Sequence, residues 1–394
     1  MRNYDVVVIG AGPAGATAAY HCTKSDLDTL FVDKSQFPRY KACGGALSER
    51  AMSYLDFPVD DELIERDIYG ARVRFGNEGI EVLKPHRIAG LVTRYKFDYF
   101  LVQQAIEAGA KFLENEKVTD LQISDEYVDI ITSKVHIRAK LVIGADGSQG
   151  ITSHYIRDAI KKSEYAVGLV TEIPADNRNI DKYILNSIEI HLGITNMGYG
   201  WVFPHEGYFS VGVAGIADKL SNPKRILTNF LRQRGFHGQY RFHAHRIPMG
   251  GVPRKKVTDR IILVGDAAGF VDSFHGEGIA YAILSAKIAA DVCHNALQHN
   301  DGWREDFLKI YDDECYRQFE YNLKYSLILA KLMHRFPKLF LKLMASDKNV
   351  LGHFLDVATN KVTYKEYLRW IRHRAPVFFV QRAIEKMLML KELR

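Results

Sequence analysis

Asp5-Val6-Val7-Val8-Ile9-Gly10-Ala11-Gly12-Pro13-Ala14-Gly15-Ala16 is the stretch on which the fold of this 394-residue chain turns. The apolar run from Tyr4 ends at Gly10, and Ala-rich sequence continues to Lys24. That order reads as strand, tight glycine turn and helix, the context a G-x-G-x-x-G spacing requires. Gly10 permits the sharp turn, Gly12 lets backbone approach a pyrophosphate, and Gly15 lets helix and strand pack closely. The helix N-terminus, with Ala14 in its first turn, offers N–H groups and positive dipole to phosphates. A second apolar run, Thr29 to Val32, ends in Asp33 and Lys34. An acid there can accept hydrogen bonds from ribose hydroxyls. Together these residues predict a dinucleotide-binding Rossmann-like unit.

Length calls for more than one ordinary core, so a further module is expected. With 47% hydrophobic and 25% charged residues the chain reads as globular. Cys22, Cys43, Cys293 and Cys315 are scattered, which argues against a disulfide framework or zinc site and suits a reducing cytoplasm. The first strand begins at Tyr4, leaving no room for a signal peptide, and no apolar window is long enough to span a bilayer. Cytoplasmic location is therefore expected, with peripheral contact on the inner face of the cell membrane. The net charge of +6 is uneven: Tyr316 to Arg394 holds 16 Lys and Arg against 6 Asp and Glu. Lys324, Lys331, Arg335, Lys338 and Lys342 interleave with Leu, Phe and Met at helical spacing. Such helices can rest on anionic lipid, or pack their apolar face on their own protein. Nucleic-acid binding is not expected, because no recognition motif accompanies the basic residues.

Farther along, a helix is expected from Leu47 to Leu55, a hairpin over Ala71 to Phe75 and Ile80 to Leu83, and a helix from Tyr95 to Ala108. A buried strand, Leu141 to Ile143, leads to the turn Ala145-Asp146-Gly147. The pattern from Ala166 to Gly215 is β-rich. Arg260 to Val264 is another buried strand, closed by Gly265-Asp266-Ala267-Ala268, and a long helix follows from about Glu277 to His299.

Three separated elements now coincide: Gly10 to Gly15 with Asp33, Gly144 to Gly147, and Gly265 to Ala268. The ordered set resembles the flavoprotein hydroxylase superfamily, whose members bind FAD on a fold like that of p-hydroxybenzoate hydroxylase. Two further stretches narrow the likeness. Pro38-Arg39-Tyr40-Lys41-Ala42-Cys43-Gly44-Gly45 resembles the cysteine-bearing loop of geranylgeranyl reductases. Tyr199-Gly200-Trp201-Val202-Phe203-Pro204, with Gly212 beyond, matches that family's Y-x-W-x-F-P-x7-G element. The resemblance covers residues 1–300 by motif and implies a mixed α/β (α+β) architecture. A discontinuous FAD-binding domain would span 1–160 and 245–300, including part of the substrate sheet near 65–95. A β-rich antiparallel substrate domain would occupy 161–244, and a helical, basic region 301–394.

The resemblance also implies roles. FAD would be held by Gly10, Gly12, Ala14, Gly15, Asp33, Lys34, Cys43, Gly44, Gly45, Arg94, Val118, Asp146, Gly147, Asp266, Gly278 and Ile279. Tyr199, Trp201, Phe203, Pro204 and Gly212 would line the substrate site, and Cys43 and His275 would act in catalysis. Asp33 stands where such flavoproteins usually carry Glu. The family's usual arginine is missing from Gln149 to Thr152. His191, His205, His243, His245 and His275 show no convincing ligand spacing, so no metal is expected.

The implied reaction saturates C=C bonds of geranylgeranyl or other prenyl chains of membrane lipids. An isolated alkene offers no carbonyl to polarise, so reduced flavin must deliver hydride while a proton reaches the adjacent carbon. The sequence shows no second glycine-rich nucleotide unit. The implied electron donor is therefore external, a ferredoxin-like carrier or a reduced nicotinamide or deazaflavin. The alternatives are a flavin monooxygenase or halogenase on the same fold, a prenylquinone reductase, and a non-catalytic prenyl carrier.

Overall fold

The computed structural model describes residues 2–336, 340, 343–345 and 347–372. Within them, strands β1 (Arg2–Ile9), β2 (Thr29–Val32), β8 (Lys111–Leu113), β11 (His136–Gly144) and β18 (Ile261–Leu263) form the parallel part of one sheet. Their order is β18-β11-β1-β2-β8, extended by antiparallel β17 (Val257–Thr258). Val6, Val7 and Val8 are fully buried, as continuous apolar runs are when both faces of a parallel strand are covered. The hairpin of β9 (Val118–Ile123) and β10 (Val128–Thr132) pairs with the first half of β11, and β18 takes the second half.

The second sheet runs β16-β12-β15-β14-β13-β5-β6. Its strands are β5 (Gly70–Phe75), β6 (Glu78–Leu83), β12 (Tyr165–Pro174), β13 (Ser187–Leu192), β14 (Gly198–Pro204), β15 (Tyr208–Ile216) and β16 (His243–Pro248). The expected hairpin 71–83 thus joins the β-rich region. Alternation along β14 puts Tyr199, Trp201 and Phe203 on one face. The opposite face is covered by the helix Pro223–Gln233, whose Phe230 ring stands where a Cβ on Gly200 would meet it at 3.1 Å. A small third sheet joins β3 (Ala46–Ser48), β7 (Ala89–Leu91) and β4 (Arg66–Ile68).

That third sheet corrects the helix expected from Leu47 to Leu55. Leu47 pairs with Gly90 as a strand residue, and only Glu49–Ser53 is helical. Long-range pairing outweighs the local helical pattern there.

The C-terminal helices settle part of the tail. Leu323, Leu327, Leu329, Ala330, Leu332 and Met333 on the helix Tyr321–Arg335 are buried. With the helices Lys348–Ala358 and Tyr364–Arg372, this helix packs into the same core as Trp201 and Phe203. The apolar face therefore caps the second sheet, and these residues are not free to enter lipid. Lys338, Lys342, the run 378–380 and the run 387–390 lie outside the described residues. Among the described residues, no helix is long and apolar enough to cross a membrane.

Candidate active site

Every dinucleotide motif sits at the C-terminal end of a parallel strand. Gly10 follows β1, Asp33 follows β2, Asp146 follows β11, and Gly265-Asp266 follows β18. β1 is flanked by β2 on one side and β11 on the other, so the chain reverses its direction of travel beside β1. Open α/β sheets bind their ligands at this switch point. The turns touch one another. Ala145 N–H donates to Ile9 O at 2.8 Å, and Val264 N–H donates to Gly144 O at 3.0 Å. Gly10 has φ +103°, and a Cβ there would lie 2.4 Å from Ala145 O.

The cradle fits a dinucleotide. The helix Pro13–Lys24 has Gly12 at its N-cap, with no capping side chain and no acid in its first turn. A Cβ on Gly12 would meet only Arg39 Nη2, at 3.6 Å. Arg39 Nη1 approaches Asp98 Oδ2 at 3.0 Å without an aligned hydrogen bond, leaving a buried donor for a phosphate oxygen. Asp33 Oδ2 accepts from Ala11 N–H at 2.9 Å and Oδ1 from Ser35 N–H at 2.8 Å. Each oxygen keeps a lone pair for a ribose hydroxyl. Lys34 is exposed, and Val118 is buried at the start of β9. Asp146 accepts from Thr152 N–H at 3.0 Å and Thr152 Oγ1 at 2.5 Å, so its carboxylate is committed to its own turn.

Arg94, Asp266 and the Cys43 loop converge. Arg94 makes a paired contact with Asp98 at 2.6 and 2.9 Å. Burial works against its charge, but Asp98 and the Cys43 thiol beside it raise its pKa overall. His245 Nε2 lies 3.1 Å from Asp266 Oδ2. Burial would neutralise Asp266, yet His245, Lys41 and Arg94 hold it below the usual carboxylate range. A Cβ on Gly278 would meet Asp266 Oδ1 at 3.4 Å, which brings the start of the helix Ile279–Leu297 to the same place. That helix also begins without a capping side chain or an acid in its first turn.

Lys41, Arg39 and His245 were not singled out from sequence, although Arg39 and Lys41 lie inside the Cys43 motif. Burial, reinforced by Arg94, pushes the Lys41 ammonium down to about 8 against the pull of Asp266, Cys43 and Asp98. Above pH 8 free Lys41 is largely neutral, and a bound pyrophosphate favours its charged form. FAD binding at pH 8.5 should therefore take up protons, and affinity should fall as pH rises beyond 8. Calorimetry in two buffers of different ionisation enthalpy measures this. A heat independent of buffer would remove Lys41 from the phosphate site.

The Cys43 loop meets the aromatic face of β14. Gly45 N–H donates to Cys43 Sγ at 3.4 Å. A Cβ on Gly44 would lie 2.8 Å from Phe203 Cε2 and 3.4 Å from Trp201 Nε1. On Gly212 it would lie 2.2 Å from the Trp201 ring, so only glycine seats that indole. Pro204 closes β14 opposite Phe209. Next to it, His205 is another residue without a sequence signal: Nε2 donates to Gly44 O at 2.9 Å and Nδ1 faces Glu65 Oε2 at 2.6 Å. Arg157, beyond the stretch where an arginine was missed, donates to the Ala267 carbonyl.

His275 lies in the turn before Gly278, and Tyr199 Oη donates to its carbonyl at 2.6 Å. No group of three or more His, Cys, Asp or Glu residues suited to a metal occurs among the described residues.

This sheet order and cradle define an FAD-dependent flavoprotein oxidoreductase, and the family model of the FAD binding domain matches residues 3–212. The digeranylgeranylglycerophospholipid reductase of Methanococcus vannielii is 31% identical over 84% of this chain and 88% of its own. The chain belongs to the geranylgeranyl reductase family of FAD-binding proteins. A geranylgeranyl bacteriochlorophyll reductase-like protein from Thermoplasma acidophilum superposes with a TM-score of 0.80 at 25% identity, covering 98% of this chain and 99% of that one. The flavin-dependent brominase Bmp2, as a triple mutant, shares the fold with a TM-score of 0.72 at 20% identity, covering 94% and 99%.

Proposed function

We propose that the protein saturates C=C double bonds in geranylgeranyl-type chains of membrane lipids. The observation that carries this reading is the meeting of the Cys43-Gly44-Gly45 loop with the Tyr199, Trp201 and Phe203 face of β14. An apolar aromatic wall there lies directly beside the charged FAD cradle. The names of the relatives support the same substrate class. Bound FAD, once reduced, supplies the hydride.

The chain supplies the rest. Phe203 and the benzene ring of the Trp201 indole are buried and ask no hydrogen bond of a hydrocarbon, so they can orient an alkene and exclude water, while Trp201 Nε1 is a buried donor without a partner. The Cys43 thiol gives the adjacent carbon its proton and is reprotonated from solvent. An external donor, a ferredoxin-like carrier or a reduced nicotinamide or deazaflavin, returns electrons. The basic excess of the tail suits collection of substrate from anionic lipid.

Dithionite-reduced protein mixed with anionic liposomes holding a prenylated archaeal-type lipid should add two hydrogens per double bond, read by mass spectrometry, more at low salt than at high. Hydroxylated or halogenated product in air would favour the monooxygenase or halogenase reading instead. Cys43→Ala should keep nearly normal flavin content while turnover falls about a hundredfold or more, the usual scale for losing an acid catalyst. Unchanged turnover would leave Cys43 a packing residue.

A further inference from the structure

The turn from Asp272 to Gly278 is built around buried charges that the reading above does not use. His275 Nδ1 lies 2.6 Å from Tyr364 Oη and 3.0 Å from Asp272 Oδ1, and its Nε2 lies 3.3 Å from Glu277 Oε2. Asp272 Oδ1 also accepts from Ser326 Oγ at 2.7 Å and from the N–H groups of Phe274 and His275 at 2.8 and 3.1 Å. Glu277 is bonded by Ser48 Oγ and by Arg50, whose Nη1 reaches it at 3.3 Å. Tyr281 joins through Arg50.

A neutral imidazole has one bare nitrogen. Whichever nitrogen that were, it would face a carboxylate oxygen, Asp272 on one side or Glu277 on the other. A neutral ring with Nδ1 bare can accept from Tyr364 Oη, but only the imidazolium donates to both carboxylates. With both N–H groups engaged, the ring holds its proton and does not offer it to a substrate. Burial works against this charge, but Asp272 and Glu277 overcome it and raise the imidazole to about 9.

The C-terminal cap supplies one group that touches the ring and one that holds Asp272 beside it. Ser326 lies on the helix Tyr321–Arg335, and Tyr364 opens the helix Tyr364–Arg372. We propose that Asp272 and Tyr364 are positioning residues that lock His275 as a fixed positive charge on the turn leading to Gly278, so that the C-terminal cap tunes the bound flavin. The proposal rests on the reading that this turn meets the flavin. A fixed positive charge there favours the electron-rich reduced cofactor and raises its midpoint potential.

The test uses the full-length holoenzyme with 13C-labelled histidine. The His275 signal, identified by its loss in His275→Gln, is titrated by NMR in the wild type, Tyr364→Phe and Asp272→Asn, and the flavin potential of the wild type and Tyr364→Phe is measured at about pH 8.5, between their expected His275 midpoints. Removing the Tyr364 hydroxyl should lower the His275 midpoint by about one pH unit, a tenfold change, as expected for a hydrogen bond to a charged group. Asp272→Asn should lower it further; because that variant also removes a negative charge, the fall in flavin potential is expected in Tyr364→Phe, where only the charge of His275 changes. The second variant also serves if the first does not fold. A His275 midpoint unmoved in either variant overturns the inference. A midpoint that falls while the potential stays constant overturns the tuning role, yet leaves the FAD site standing if both variants purify yellow. Failure of the FAD-site reading itself would appear separately, as flavin retained when the phosphate turn is blocked at Gly12.

Discussion

Gly12→Val should purify colourless. The position faces open space bounded by Arg39 Nη2 at 3.6 Å, so the added side chain meets no protein wall and the fold survives. It does fill the place where backbone must approach the pyrophosphate at the helix N-terminus. Flavin content, read by absorbance near 450 nm against protein, should fall tenfold or more while far-ultraviolet circular dichroism stays native. Gly15→Ala is the contrasting control. Its Cβ would stand 1.7 Å from Gly10 O, so that variant should lose the fold as well as the flavin. A yellow Gly12→Val protein with stoichiometric FAD would move the phosphate site elsewhere.

Arg50→Met should be the most destabilising single change outside the cofactor cradle. Arg50 is 2% exposed and donates to Tyr281 Oη at 2.6 Å, to Glu277 and to the carbonyl of Val357. Methionine replaces the volume but leaves Tyr281 Oη without its donor and buried Glu277 without one of its two cations, held only by His275 and Ser48. Breaking one side of such a pair costs about 3–5 kcal/mol. The pH dependence has a definite sign. Burial raises the Glu277 pKa, but Arg50, His275 and Ser48 depress it overall, so its contribution is present above the ordinary glutamate range and lost as pH falls through the folded value. The deficit of Arg50→Met should therefore be largest near neutral pH and shrink in acid, where Glu277 can protonate in either protein. Urea denaturation at pH 7.5 and pH 4 measures both. An unfolding free energy within about 0.5 kcal/mol of wild type at pH 7.5 would show that the cap is held without this arginine.

The parts of the site that were legible in sequence are those whose chemistry is local. Gly10, Gly12 and Gly15 lie within six residues, and the function of each depends on backbone that its neighbours shape. Asp33 stands at the end of an apolar run, where a buried parallel strand must stop, whereas Asp266 was indicated by the resemblance its Gly265-Asp266-Ala267-Ala268 turn carries. The aromatic positions of β14 could be read from alternation alone, since a strand turns every second side chain to the same face. The expected helix over Leu47 to Leu55 went astray where a strand pairing with Gly90 intervened, a contact that no local pattern announces.

The partners within the site could not be read in this way. His205 reaches Gly44 across 161 residues, Arg50 reaches Glu277 across 227, and Tyr364 reaches His275 across 89. Nothing in their immediate sequence distinguishes a histidine that pins a loop from one exposed to water. The tail shows the same division. Its periodicity established amphipathic helices, but a period of 3.6 marks an apolar face without saying what covers it. The sequence by itself determined the strand, turn and helix of the dinucleotide cradle and the aromatic face of β14, while the order of strands in the sheet came from the fold. Only the tertiary structure decided that the helices through Arg372 close over that face and anchor the His275 turn, because burial and ion pairing depend on which distant surfaces come together.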